Sequence, residues 1–188
     1  MQDEKWKILK SETVLTTPFL TVKKDRCKTL RGNELDYYSV VRGDAAAVIA
    51  LTKDKKILMQ RQYRHPVREW FLQIPAGMIE RGEDPQKAAQ RELLEETGYQ
   101  ARTLIHIGTL FFTPGLLKQK AHIFVGFDAH KVQEPQLDPG EDVEFLLVPF
   151  DDVFNFIVRG EIKDIDTIAE LCLAREYLSH VTVSHEDV

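Results

Sequence analysis

A chain of 188 residues, 43% hydrophobic and 29% charged, has the composition of an ordinary globular protein, long enough for one full domain and an accessory element. Its net charge of -5 argues against nucleic acid as a partner, because phosphate backbones want a basic surface, but leaves room for a local basic site that takes a small phosphate compound. The opening MQDEKWKILK is too charged for a signal peptide, and no apolar run reaches membrane-spanning length, so the expectation is a soluble, cytoplasmic protein without membrane contact.

In chain order, WKILK, TVLTT, FLTVKKDRC and LDYYSVVR read as short strands over residues 5–42, separated by Thr-Pro and by the turn Arg31-Gly32-Asn33. AAAVIAL and KILMQRQYR follow as two apolar strands across the turn Thr52-Lys53-Asp54-Lys55, a pairing that predicts a hairpin. After a helix come TLIHIGTLFF, AHIFVGFDA and VEFLLVPF as strands. A C-terminal helix from Asp164 to Ser179 carries Ile165, Ile168, Leu171, Cys172 and Leu178 at near-helical spacing. Strands interrupted by one helix and closed by another predict an α/β (α+β) protein with a mixed sheet. The expected division is an N-terminal β subdomain, 1–42, and a main domain, 43–188. Cys27 and Cys172 fit no metal spacing and read as buried thiols.

The chemistry concentrates in GMIERGEDPQKAAQRELLEETGY, residues 77–99. Asp84 suits an N-cap, Pro85 the first helical position and Gly98 the C-terminal stop. Glu92, Glu95 and Glu96, at i, i+3 and i+4, then share one face. Ala88 and Ala89 precede them on the same side and leave space, while Leu93 and Leu94 point toward a core. Like charges at this spacing cost a few tenths of a kcal/mol each, and the last turn is where the helix dipole disfavours negative charge. A face that accepts both penalties calls for a compensating cation. Hard oxygen donors without His or Cys point to magnesium, with manganese as the alternative, paired with substrate phosphates.

Gly77, Glu83, Arg91-Glu92-Leu93, Glu95-Glu96 and Gly98-Tyr99 occupy every fixed position of the Nudix box, and the chain resembles that family. The resemblance implies a Nudix α/β/α sandwich with a mixed sheet plus a small N-terminal antiparallel sheet. It implies hydrolysis of a nucleoside diphosphate linked to another group, with Glu92, Glu95 and Glu96 as metal carboxylates, Arg91 orienting a carboxylate, and Glu83 acting through water or a salt bridge.

Around the box, Ile74-Pro75-Ala76-Gly77, Thr113-Pro114-Gly115 and Arg61-Gln62-Tyr63-Arg64 resemble the ADP-ribose pyrophosphatase and nucleoside diphosphate sugar hydrolase branch. By that resemblance the Ala76 carbonyl is a metal ligand, Arg64 contacts the diphosphate, and Pro114 marks the branch. Tyr37 and Arg42 resemble the segment that supplies a stacking aromatic and a substrate arginine, with Phe19 a second aromatic. The general base resembles a glutamate in the loop 137–144, Glu141 first and Glu144 second. The branch implies a homodimer formed through the N-terminal sheet. The chain departs from the branch pattern where Gln73 replaces an acidic residue and where basic Lys118 to Lys120 follow the Pro-Gly pair. GDP-mannose or another nucleotide sugar is the rival substrate, oxidised nucleoside triphosphates are weaker, and a non-catalytic ligand-binding module is the rival from another class.

Overall fold

The computed structural model describes residues 5–137 and 142–183, so Glu141 lies outside the described residues. Two compact units divide the chain. The first comprises Met1–Asp44 together with Phe111–Lys120, and the second Ala45–Leu110 with Ala121–Val188. The first unit thus takes in a second, later stretch of chain as well as the N-terminal strands.

In the first unit β1 (Lys7–Thr16), β2 (Thr21–Lys28) and β3 (Glu34–Val41) form an antiparallel meander. The β1–β2 turn is held by the Thr17 hydroxyl, which accepts from the Phe19 and Leu20 amides. Gly32, at φ 85°, supplies the left-handed residue between β2 and β3. The two strands expected over WKILK and TVLTT are one. The polar interruption Lys10-Ser11-Glu12 stays paired with β2, and the irregularity appears as register shifts at Ile8/Lys10 and Thr13/Leu15. Every residue of β1 is exposed, including Ile8, Leu9, Val14 and Leu15.

The second unit is built on two larger sheets, with β8 (Tyr99–Gln100) and β12 (His130–Lys131) paired as a separate two-stranded one. In the first, β7 (Ala76–Met78), β4 (Ala45–Ala50), β11 (Lys120–Phe127) and β9 (Thr103–Phe111) stand side by side in that order. In the second, β5 (Lys56–Arg64) lies between β13 (Val143–Pro149) and β6 (Glu69–Gln73). The expected β4–β5 hairpin does not form. β4 is parallel to β11 on one edge and antiparallel to β7 on the other, so it has no edge left for β5. The turn, with Lys55 at φ 57°, instead carries the chain from one sheet to the other, leaving a single bridge from Leu51 to Ile57. An unbroken apolar run is what a strand buried on both faces requires. Ala46, Val48 and Ala50 pack with Ala88, Ala89 and Leu93 of helix α1 (Pro85–Thr97), while Ala45, Ala47 and Ile49 on the opposite face are buried too.

After the short helix α2 (Val153–Val158), helix α3 (Ile165–Val183) packs against β4 and is capped by Asp164, whose Oδ2 accepts from the Thr167 amide at 3.1 Å and its hydroxyl at 2.8 Å. Among the described residues no helix is long and apolar enough to cross a membrane. Buried in α3, Glu170 is 4% exposed, and desolvation, followed by the charges of Asp166 and Asp164, raises its carboxyl well above the ordinary 4.5. A raised folded value means stability is lost as pH climbs above 4.5. Glu170→Gln should therefore unfold at higher denaturant than wild type at pH 7, with the difference closing by pH 4, as followed by urea denaturation at both values.

Candidate active site

Helix α1 is fixed at both ends by its own sequence. Asp84 Oδ1 accepts from the amides of Gln86 at 3.0 Å and Lys87 at 3.2 Å, and Pro85 opens the helix where no amide is missed. Gly98 closes it at φ 73°, its amide donating to Leu94 O, and a Cβ there would lie 2.1 Å from the Gln133 carbonyl. Ala88 and Ala89 do not flank the carboxylates as an open space. They are fully buried with Leu93, and their small size brings the helix down onto β4.

The centre of the site is Arg91, all five of whose N–H donors are engaged. Nε donates to Glu83 Oε1 at 2.9 Å, and Nη2 donates to Glu83 Oε2 at 2.9 Å and to the Met78 carbonyl at 3.0 Å. Nη1 donates to Glu92 Oε1 at 2.7 Å and Glu95 Oε2 at 3.1 Å. Glu83 also accepts from the Glu80 amide. Arg91, then the Glu80 N–H, depress the Glu83 carboxyl to about 2, and Glu83, then Glu92 and Glu95, hold Arg91 still more firmly protonated. A charge-assisted hydrogen bond contributes about 1.5–3 kcal/mol where solvent is excluded. Even discounted for the 26% of the Arg91 side chain that solvent reaches, several such bonds outweigh like-charge costs of a few tenths of a kcal/mol. A compensating cation for the acidic face is therefore already in the chain.

The carboxylates differ in environment. Glu95 is half exposed, Glu92 is mostly covered and Glu96 is buried at 7% exposure. Gly77 makes the cradle for Glu92, since a Cβ built there would fall 2.0 Å from the Glu92 carboxyl carbon. Among the described residues no three His, Cys, Asp or Glu side chains are already gathered as a metal-holding group. The donor set nevertheless fits a hard divalent cation: three carboxylates from one helix, beside a glycine that admits one of them against the backbone of β7.

The other residues singled out from the sequence fall in several places. Ala76 opens β7 opposite Ala47 of β4. Arg64 ends β5 and donates from Nε to Gln73 Oε1 at 2.8 Å. Glu144 is the second residue of β13 rather than a loop residue, and it pairs with Arg61 at 3.0 Å. Arg61 in turn stacks over Trp70. Alternation along the strands puts Glu144 and Arg61 on the face opposite Phe145, which packs on the α1 core. In the first unit the Tyr37 hydroxyl donates to the Gly115 carbonyl at 2.6 Å, which brings Tyr37 to the turn that contains Pro114, and Trp6 meets its ring edge-on. The Arg42 amide donates to Lys118 O in β10 (Leu117–Lys118), which runs parallel to β3. Phe19 is 77% exposed.

Two groupings had no signal in the sequence. Asp164 reaches Gln73, 91 residues away, and His106 and His122 meet around the Thr109 hydroxyl on neighbouring strands. Both depend on strand order, which spacing along the chain does not reveal.

Residues 41–171 match the NUDIX domain, and residues 6–40 match the nucleoside diphosphate sugar hydrolase N-terminal domain. The chain belongs to the Nudix family. It is 37% identical over 124 residues to an ADP-ribose pyrophosphatase of Bacillus subtilis (strain 168), covering 65% of this chain and 67% of that one. It is 31% identical over 173 residues to a methanol dehydrogenase activator of Bacillus methanolicus, covering 92% and 91%. A crystal structure of an ADP compounds hydrolase shares the fold at a TM-score of 0.84 and 24% identity, over 94% of this chain and 96% of that one. The fold is thus the α/β Nudix fold.

Proposed function

We propose that this protein hydrolyses the diphosphate bond of ADP-ribose or a related nucleoside diphosphate sugar, adding water across P–O–P to give a nucleoside monophosphate and a sugar phosphate. The observation that carries the reading is the Arg91-centred carboxylate face on α1, in a chain that joins a NUDIX domain to a nucleoside diphosphate sugar hydrolase N-terminal domain. Similarity to an ADP-ribose pyrophosphatase supports the choice of substrate.

Glu92, Glu95, Glu96 and the Ala76 carbonyl would hold magnesium, with manganese able to replace it. When bound, such an ion supplies charge neutralisation at the diphosphate and lowers the pKa of a bound water. Arg91 orients the carboxylates by holding one oxygen each of Glu92 and Glu95. Arg64 and Arg42 clamp the diphosphate, for which planar guanidinium donors suit both geometry and charge. Of the two candidate bases, Glu144 is held by Arg61, which favours Glu141. Tyr37 presents a ring that is 37% exposed, with its hydroxyl held by Gly115 and its ring met edge-on by Trp6, an arrangement suited to stacking on a base, with the exposed Phe19 a second aromatic for the substrate and Pro114 in the turn that Tyr37 reaches.

The protein acts in the cytoplasm as a homodimer in this reading. The exposed Ile8, Leu9, Val14, Leu15 and Phe19 of the first unit support the dimer, because a small meander that leaves so much apolar surface uncovered calls for a partner. Light scattering should return about twice the 21.7 kDa chain mass, and a clean active monomer at micromolar concentration would rule the dimer out. A second reading, suggested by one relative that aligns over nearly the whole chain, is activation of a partner dehydrogenase, although an ADP-ribose pyrophosphatase of Mycobacterium tuberculosis (strain ATCC 25618 / H37Rv) aligns over 90% of the chain and favours the hydrolase.

Incubation with ADP-ribose, GDP-mannose, UDP-glucose and 8-oxo-dGTP in magnesium, with products separated chromatographically, tests the hydrolase reading and ranks its substrates. The expected result is fastest turnover of ADP-ribose, abolished by chelation and reduced about a hundredfold or more in Glu96→Gln, because a neutral amide is a poor ligand for a hard cation. No cleavage of any nucleoside diphosphate sugar would overturn the hydrolase reading, and full activity of Glu96→Gln in saturating magnesium would overturn the metal-ligand role of Glu96.

A further inference from the structure

A continuous hydrogen-bonded chain runs from Arg64 at the end of β5 to the start of α3. Arg64 Nε donates to Gln73 Oε1 at 2.8 Å, and Gln73 Nε2 donates to Asp164 Oδ2 at 2.9 Å. The same Asp164 oxygen accepts the Thr167 amide and hydroxyl. The orientation of the amide follows from its neighbours. A guanidinium can only donate and an ionised carboxylate can only accept, so the Gln73 oxygen must face Arg64 and its nitrogen must face Asp164. Three donors then converge on Asp164, and the helix cap anchors the whole chain to a buried turn, since Thr167 is 2% exposed.

The chain uses one Arg64 donor. Among the described residues, the four N–H groups on Nη1 and Nη2 have no protein partner, and the side chain is exposed. A glutamate at position 73 would change this in two ways. It would accept two parallel hydrogen bonds from Arg64 and cancel the arginine's charge. It would also place a carboxylate against Asp164, which already has Asp166 and Glu170 near it. Gln73 avoids both: it anchors the arginine by a single N–H, stays neutral, and satisfies Asp164 with a donor.

We propose that Gln73 is a positioning residue, held by Asp164, that aims Arg64 while leaving its charge and four N–H groups to an anionic diphosphate. The proposal rests on the reading that Arg64 faces the substrate diphosphate. It makes the amide at position 73 a determinant of affinity for the diphosphate group itself, whatever nucleoside or sugar is attached.

The test is a double-mutant cycle on ADP binding, by titration calorimetry in magnesium, with wild type, Gln73→Glu, Arg64→Ala and the double variant, and with Gln73→Ala alongside, each checked for thermal unfolding. Gln73→Glu should weaken ADP about tenfold or more, the size of one lost charge-assisted contact. Gln73→Ala should weaken it less, because Arg64 loses an anchor but keeps its charge. In the Arg64→Ala background Gln73→Glu should have no further effect. Equal ADP affinity in wild type and Gln73→Glu would overturn the proposal, as would a Gln73→Glu deficit that persists without Arg64. An effect that only tracks the melting temperature would overturn it as well. If the variants show this pattern with ADP but wild type cleaves no nucleoside diphosphate sugar, the hydrolase reading fails and the positioning role of Gln73 stands.

Discussion

The hydrogen bonds of Arg91 are the constraint on which the rest of the site depends. Three glutamates in the last two turns of a helix repel one another and oppose the helix dipole. With every donor of one guanidinium used, Glu83, Glu92, Glu95 and the Met78 carbonyl are drawn to a common centre, and the loop before the helix is tied to its body. A lysine could not do this, since its ammonium offers three donors from one point rather than five in a plane. The neighbourhood stays acidic enough to attract a hard cation while remaining compatible with a folded helix.

That centre requires the surrounding fold to be built closely. Ala88 and Ala89 let α1 sit on β4, and β4 is itself a row of small and branched apolar residues between two partner strands. Gly77 then passes beneath the helix where a side chain would collide with Glu92. Small residues at three places in the sequence thus serve one purpose: they bring backbone and carboxylate together. The residues that would recognise the rest of a substrate are distributed over strand ends and turns, where loops can vary without disturbing the sheet.

Much of this was legible in the sequence. The cap residues Asp84, Pro85 and Gly98 act locally and are found where their chemistry predicts, and the i, i+3, i+4 spacing of Glu92, Glu95 and Glu96 is a property of the helix itself. What was not legible depends on strand order. AAAVIAL followed by a polar turn and KILMQRQYR looks like a hairpin until β11 takes the edge of β4 that β5 would need. Glu144 reads as a loop acid, yet the strand extends to Val143 and its pairing partner turns out to be Arg61. The need for a compensating cation was sound physics, but the spacing of acids alone does not reveal that Arg91, within the same helix, meets part of it. The Gln73–Asp164 link spans 91 residues and has no counterpart in any local pattern.

Under the proposed function, the glycine-cradled, arginine-ordered carboxylate face on α1 holds divalent cations for work on a diphosphate. Manganese titration followed by electron paramagnetic resonance, on wild type and Gly77→Ala, tests it most directly. The three atoms nearest a Cβ at position 77 all belong to the flexible end of Glu92, so the fold should survive while the carboxylate moves. Wild type should bind manganese in the presence of a non-hydrolysable ADP-ribose analogue, and Gly77→Ala, with a melting temperature close to wild type, should bind it about tenfold or more weakly, as expected for a displaced charged ligand. Equal manganese affinity in the two proteins, or none in wild type, would contradict it.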